Sequence, residues 1–235
     1  MNVKNKKRGM MRGKIVFIGI LIILYGMFYF QHAIASSGLL LTDFEGTDIL
    51  LVHPFDGFIY GYTDEDMGGS STIDELEIRG EDAVLNLVTK RKQGAKNSHG
   101  FLKISGKVTT KYEWGFTGCG LYFHSDRKAI DLSQYKGIRF YTKGSERWFV
   151  IKIVIPADVD YGFHETSFLP GENWEAITIL FNKFKQPSLV KKRVSLEMAL
   201  QNCQGILWQT KGQPIENYEL YLDNIELIKD DKKSE

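Results

Sequence analysis

Two cysteines and five prolines are all that 235 residues contain. So little cysteine excludes a disulfide-dense scaffold, and Cys119 and Cys203 lie far apart without metal-ligand spacing. In an oxidising compartment the two can pair; otherwise they are buried thiols, and both readings stay open. Scarce proline and a 25% charged fraction argue against a largely disordered chain. The five histidines are scattered, and His164-Glu165 has no second histidine one helical turn on. G-x-S-x-G, P-loop and dinucleotide-binding motifs are missing as well. A glycosidase's paired carboxylates would leave no such signature, because their pairing is spatial. The chain is nonetheless expected not to be an enzyme.

Acidic residues are absent from residues 1–35, which hold six basic ones: Lys4, Lys6, Lys7, Arg8, Arg12 and Lys14. The remaining residues carry 24 basic against 29 acidic side chains. An acidic body lacks the electrostatic footprint of a nucleic-acid binder, so no nucleic-acid partner is expected. The basic cluster leads into Ile15–Phe30, a charge-free apolar run, and then Ala33-x-Ala35, the small-x-small pattern of a signal-peptidase site. Residues 1–35 are therefore expected to be a signal peptide cleaved before Ser36, or an uncleaved hydrophobic helix through residues 15–35 that anchors the chain in a membrane. In both cases the body is extracytoplasmic, whether secreted, periplasmic or tethered.

Long helical periodicity is missing from the body. Short alternating stretches replace it: Leu39–Phe44, Ala83–Thr89, Phe101–Val108, Trp114–Phe123, Tyr161–Phe168, Glu175–Phe181, Gly205–Gln209 and Tyr218–Ile228. Ile138, Phe140 and Thr142 alternate with Arg139 and Tyr141, and Trp148–Ile155 alternates likewise; Gly144 between them predicts a tight hairpin. Residues 53–72, rich in glycine and acid, read as loop. Ser195–Gln201 is the one convincing helix. In the last strand Leu220 and Leu222 are out of phase with Ile225 and Leu227, which predicts a bulge at Asp223-Asn224. Many short strands with few helices predict an all-β sandwich or jelly roll over residues 36–229, with 230–235 a charged tail.

Five motifs occur in order. Thr42-Asp43-Phe44-Glu45 resembles the opening of galactose-binding-like jelly rolls. Asp66-Met67-Gly68-Gly69-Ser70-Ser71 resembles the D-x-x-M-G-G-x-S hallmark of the complex I intermediate-associated protein 30 family, with the spacing before Met67 shortened. Asp131–Phe140 (DLSQYKGIRF) is similar to a strand which that family shares with family 11 carbohydrate-binding modules. Trp174–Phe184 (WEAITILFNKF) is similar to another shared segment, with Leu180 in the usual proline position. Leu222-Asp223-Asn224-Ile225 resembles their closing motif. The resemblance spans residues 40–228 and implies a non-catalytic galactose-binding-like jelly-roll β-sandwich that binds glycans or assists assembly of a protein complex.

Two sets of site residues are expected. Arg139, Tyr141, Trp148 and Lys152 occupy the non-core phase of neighbouring strands, and Asp158, Asp160, Tyr161 and His164 follow. Rings that stack on sugars beside groups that bond hydroxyls make a carbohydrate site. Asp43, Glu45 and Asp223 fall on the first and last strands, where hard oxygen ligands would suit Ca²⁺. The resemblance implies a structural calcium in the same region. The partner is expected to be a polysaccharide, with a protein complex as the alternative.

Overall fold

The computed structural model describes residues 38–45, 51–52, 54–79, 94–156, 163–188, 190, 192–212 and 214–229. The N-terminal segment 1–35, the expected strand Ala83–Thr89 and the tail 230–235 lie outside the described residues. The described residues belong to one compact unit.

The strands are β1 (Leu39–Thr42), β2 (Leu51–Val52), β3 (Gly57–Thr63), β4 (Thr72–Arg79), β5 (Phe101–Val108), β6 (Thr117–Tyr122), β7 (Tyr135–Gly144), β8 (Phe149–Val154), β9 (His164–Phe168), β10 (Glu175–Leu180), β11 (Gly205–Thr210) and β12 (Ile215–Lys229). They form two antiparallel sheets. The first runs β10-β7-β12-β5-β4, with β1 on the far half of β12; the second runs β2-β3-β6-β11-β8-β9. The helix α1 (Leu196–Gln201) starts at Ser195, whose Oγ accepts the Met198 N–H at 3.1 Å. Such a cap is worth about 1 kcal/mol.

Alternation decides what each sheet buries. From the first sheet Ile138, Phe140, Leu102, Ile104, Leu220 and Leu222 point inward; from the second come Leu121, Ile151, Ile153, Ile206 and Trp208. The Trp208 ring meets Phe140 edge-on at 5.8 Å, and Phe140 meets Phe168 at 5.3 Å. Cys119 and Cys203 are free, buried thiols that burial pushes up to about 12, so neither is a nucleophile near neutral pH.

The expected bulge is present. The β7–β12 ladder shifts register between Asp223 and Glu226, with Asn224 at φ 47°, so Leu220, Leu222, Ile225 and Leu227 are all buried. Three other expectations are corrected. β7 and β8 are not a hairpin: β7 pairs with β10 and β12, whereas β8 pairs with β11 and β9 in the other sheet. Gly144 is required because a Cβ there would lie 2.3 Å from the Glu219 carbonyl oxygen, a close approach between paired strands. The expected loop 53–72 contains β3, and TIDELEIR at its end forms β4.

The third correction concerns the glycine-rich hallmark. Its aspartate is Asp64, at full spacing three residues before Met67, and not Asp66. Asp64 is fully buried: Oδ1 accepts the Ser71 N–H at 3.0 Å, and Oδ2 accepts the Ser71 hydroxyl at 2.6 Å and the Phe116 N–H at 3.2 Å. Its carbonyl accepts the N–H groups of Met67 and Gly69. A Cβ on Gly69 would lie 2.1 Å from the Asp64 carboxyl, so only glycine lets the turn close over that side chain. The motif is a clasp between the β3–β4 and β5–β6 loops.

Candidate functional site

β3 carries Phe58, Tyr60 and Tyr62 on one phase, and β6 faces them with Tyr122, Gly120 and Gly118. Directly opposed residues share a face, so these six lie together on the outer side of the second sheet. The two glycines make room: a Cβ on Gly120 would stand 2.6 Å from Tyr60 Cζ, and one on Gly118 would stand 2.7 Å from Tyr62 Oη. The tyrosine rings thus lie across the glycine lane.

An uninterrupted aromatic track results. Tyr122 stacks on Tyr60 with centroids 5.0 Å apart and planes 11° from parallel. Tyr60 contacts Tyr62 at 6.0 Å, Tyr62 contacts Phe116 at 5.9 Å, and Phe116 contacts Tyr112 at 6.5 Å. Phe58 flanks Tyr60 and Tyr122, and the Arg127 guanidinium lies 5.0 Å over the Tyr122 ring. All six rings are half-buried. Burial pushes the Tyr60 and Tyr62 phenols well up, so both are neutral hydroxyls.

A polar lane runs beside the track on β11, β8 and β9. One row reads Tyr60, Gly120, Leu207, Lys152, Glu165; the next reads Tyr62, Gly118, Gln209, Val150, Ser167. The Tyr62 hydroxyl donates to Gln209 Oε1 at 3.2 Å and joins the lanes. Lys152, only 16% exposed, stands 3.5 Å from Glu165, and burial lowers its pKa. Lys211 Nζ donates to Ser167 Oγ at 2.7 Å.

The expected ligand residues do not assemble into one face. Lys152 lies in the polar lane, and Trp148, 55% exposed, precedes β8 on the same phase as Val150 and Lys152. Arg139 and Tyr141 sit on the outer side of the other sheet, where Arg139 pairs with Glu226 and Lys96 covers the Tyr141 ring at 4.6 Å. His164 is buried, because its phase is that of Ile153 and Phe168; burial lowers its pKa. Asp158, Asp160 and Tyr161 lie outside the described residues. The cause of the split is the β7–β8 crossover between sheets. Phe58-x-Tyr60-x-Tyr62 alternates and is the signal of this track in the sequence, but Gly57 and Gly61 give the segment the composition of a loop.

Glu45 and Asp223 both accept hydrogen bonds from the 94–100 loop, whereas Asp43 stays local to Glu45. Glu45 Oε1 accepts the N–H groups of His99 and Gly100 at 2.7 and 2.6 Å. Asp223 Oδ2 accepts the Ala95 N–H and the Ser98 hydroxyl, both at 2.8 Å, and Oδ1 accepts the Asn224 N–H at 2.6 Å. Asp43 Oδ1 accepts the Glu45 N–H at 3.1 Å. Hydrogen-bond donors hold these oxygens, and among the described residues no group of three acids, histidines or cysteines can hold a metal ion. Excess calcium and excess chelator are therefore expected to give the same melting temperature. A drop of several degrees on chelation would show instead that a native-state cation is bound.

Asp223 supplies a pH test. It is fully buried, and desolvation raises its pKa from 3.8 to about 6, against the opposing hydrogen bonds from Ser98 and Ala95. The native state thus binds the extra proton between these values, and stability falls as pH rises through that window. The shift corresponds to about 3 kcal/mol at ~1.4 kcal/mol per pKa unit. Denaturant melts of the wild type and Asp223→Asn should diverge between pH 4 and 6, the wild type losing the difference. Parallel pH profiles would refute the assignment.

A family model for complex I intermediate-associated protein 30 (CIA30) matches residues 53–206, more than half of the chain. The chain belongs to the CIA30 family. Its match begins just before β3 and takes in the Asp64 clasp and most of the second sheet. No curated protein matches the sequence. Among solved structures, this CIA30-family fold is similar to the family 11 carbohydrate-binding module of the cellulosomal cellulase Lic26A-Cel5E of Clostridium thermocellum. That likeness has a TM-score of 0.52 at 18% identity, covering 83% of this chain and 96% of that one. A solution structure described as CtCBM11 is similar at TM-score 0.51 and 22% identity, covering 84% and 98%. At these identities the likeness is one of fold, and it bears out the all-β jelly-roll sandwich.

Proposed function

We propose that this CIA30-family chain is a non-catalytic binding module that holds a neutral β-linked glycan along the outer side of the second sheet. The observation that carries this reading is the aromatic track from Tyr122 to Tyr112 with the polar lane beside it. Rings pack the apolar faces of successive sugars, and Gln209, Lys152 and Glu165 meet their hydroxyls. The carbohydrate-binding modules that share the fold support the reading. Adjacent rings are 5.0–6.5 Å apart, which suits an extended chain better than a single sugar.

The body is proposed to work outside the cytoplasm, at the cell envelope. The Lys/Arg cluster before the apolar run Ile15–Phe30 supports this placement. Among the described residues no helix is long and apolar enough to cross a membrane; residues 1–37 are outside that set.

The full chain in detergent is expected to bind immobilised mixed-linkage β-glucan or another neutral β-glycan. Absence of binding across a panel of such polymers would overturn the glycan reading. Family membership favours a second reading, a scaffold for a protein complex. Trp114 and Trp148, 62% and 55% exposed, would then be contact residues. Stable co-purification with a membrane complex, lost in Trp114→Ala, would establish that alternative.

A further inference from the structure

We propose that the outer side of the first sheet binds an acidic polysaccharide, at a site separate from the aromatic track. One row across this sheet reads Trp174, Lys143, Tyr221, Lys103, with Trp174 just before β10. Lys143 Nζ lies 4.7 Å from the Tyr221 ring centre and 5.1 Å from that of Trp174. Further along β7, Lys96 Nζ lies 4.6 Å over Tyr141, and at its start Lys229 Nζ lies 5.8 Å over Tyr135.

Charge balance separates these lysines from their neighbours. Lys103 is neutralised by Glu75 at 2.7 Å and Glu219 at 3.1 Å, and Arg139 by Glu226. Among the described residues Lys96, Lys143 and Lys229 have no carboxylate within ion-pair distance; each is held by aromatic rings alone. On a body with 24 basic against 29 acidic residues, this face carries three such lysines beside aromatic rings. A ring holds an ammonium group in place without cancelling its charge, and partial desolvation strengthens its pull on an incoming anion.

Geometry narrows the occupant. Tyr135, Tyr141 and Lys143 share one phase of β7 and lie within eight residue steps, about 26 Å at ~3.3 Å per residue. A small anion would engage one ammonium group. A linear polymer bearing carboxylates at intervals, with sugar faces to lie on Tyr141, Tyr221 and Trp174, engages all three. A lipid surface would call for basic side chains around protruding apolar tips; here the rings are half-buried on the flank of a sheet. The chain thereby offers one face to a neutral glycan and the other to an acidic one.

The test uses the full chain in detergent over immobilised polygalacturonate and, in parallel, immobilised mixed-linkage β-glucan. The wild type should bind polygalacturonate at low ionic strength, with affinity falling steeply as salt releases the advantage of the paired charges. The double variant Lys96→Gln/Lys143→Gln should bind about tenfold or more weakly, Lys96→Arg/Lys143→Arg should keep most of the affinity, and Tyr60→Ala should leave it unchanged. No binding by the wild type, or equal binding by the glutamine variant, would overturn the proposal. Binding to phosphatidylglycerol vesicles without binding to polygalacturonate would also overturn it and assign the face to lipid. Failure on β-glucan with retention on polygalacturonate would reject the track and leave this site standing.

Discussion

Replacing Asp64 by alanine is expected to lower the stability of the folded body by about 3–5 kcal/mol, the cost typical of removing one member of a buried charged network. Three donors lose their acceptor at once: the Ser71 N–H, the Ser71 hydroxyl and the Phe116 N–H. Ser71 is buried, and each unpaired buried group costs about 1–3 kcal/mol. The Ser71 hydroxyl oxygen also accepts the Thr109 N–H at 3.0 Å, so the loosening passes into the β5–β6 connection. Gly69→Ala should act on the same clasp from the other side, since its Cβ would fall 2.1 Å from the Asp64 carboxyl. The two effects should be strongly non-additive, because either change opens one turn. Chemical denaturation of the two single variants and the double variant would measure this. A loss below about 1 kcal/mol in Asp64→Ala would show that water takes over the donors and that the clasp is not structural. Asp66→Ala, on the exposed side of the same turn, should change stability by no more than about 0.5 kcal/mol.

The second large effect concerns the aromatic track. Each ring removed from a stacking platform costs about 1–3 kcal/mol, a ten- to hundredfold loss of affinity. Tyr60→Ala is expected to weaken β-glucan binding most, because Tyr60 contacts Phe58, Tyr62 and Tyr122 and its loss breaks the track in the middle. Tyr112→Ala, at the end, should cost less. Arg139→Ala and Tyr141→Ala lie on the opposite face and should leave β-glucan affinity within twofold. That ordering separates a track from a general loss of fold, since Tyr60 and Tyr141 are both half-buried strand residues. Calorimetric titration with a soluble glucan would read it. Equal losses in Tyr60→Ala and Tyr141→Ala, or none in either, would refute the placement of the site. Thermal melts of the same variants serve as the control, because the Tyr60 ring also covers Gly120.

What the sequence determined by itself was mostly local. Alternation at Ile138, Phe140 and Thr142 specifies a strand with one buried face, because successive side chains must point to opposite sides. The phase slip between Leu222 and Ile225 demanded a bulge, since all of the apolar side chains have to reach one core. Ser195 marked the helix start through its side-chain oxygen. The ordered motifs from Thr42 to Ile225 pointed to the family and to its sandwich. Which strands share a sheet was decided only in three dimensions. A period of two says that a residue faces outward, but not from which of two sheets. Arg139 and Lys152, alike in sequence pattern, therefore ended on opposite sides of the molecule. The roles of the acids were likewise hidden. Glu45 and Asp223 look like cation ligands in a string of letters, yet the 94–100 loop turns its N–H groups toward them. Asp64 looked like one acid in an acidic loop, but burial beside Gly69 and Ser71 made it a clasp. The tyrosines of β3 became a track only when register set glycines opposite Tyr60 and Tyr62, because side-chain contacts between strands depend on pairing that no single strand encodes.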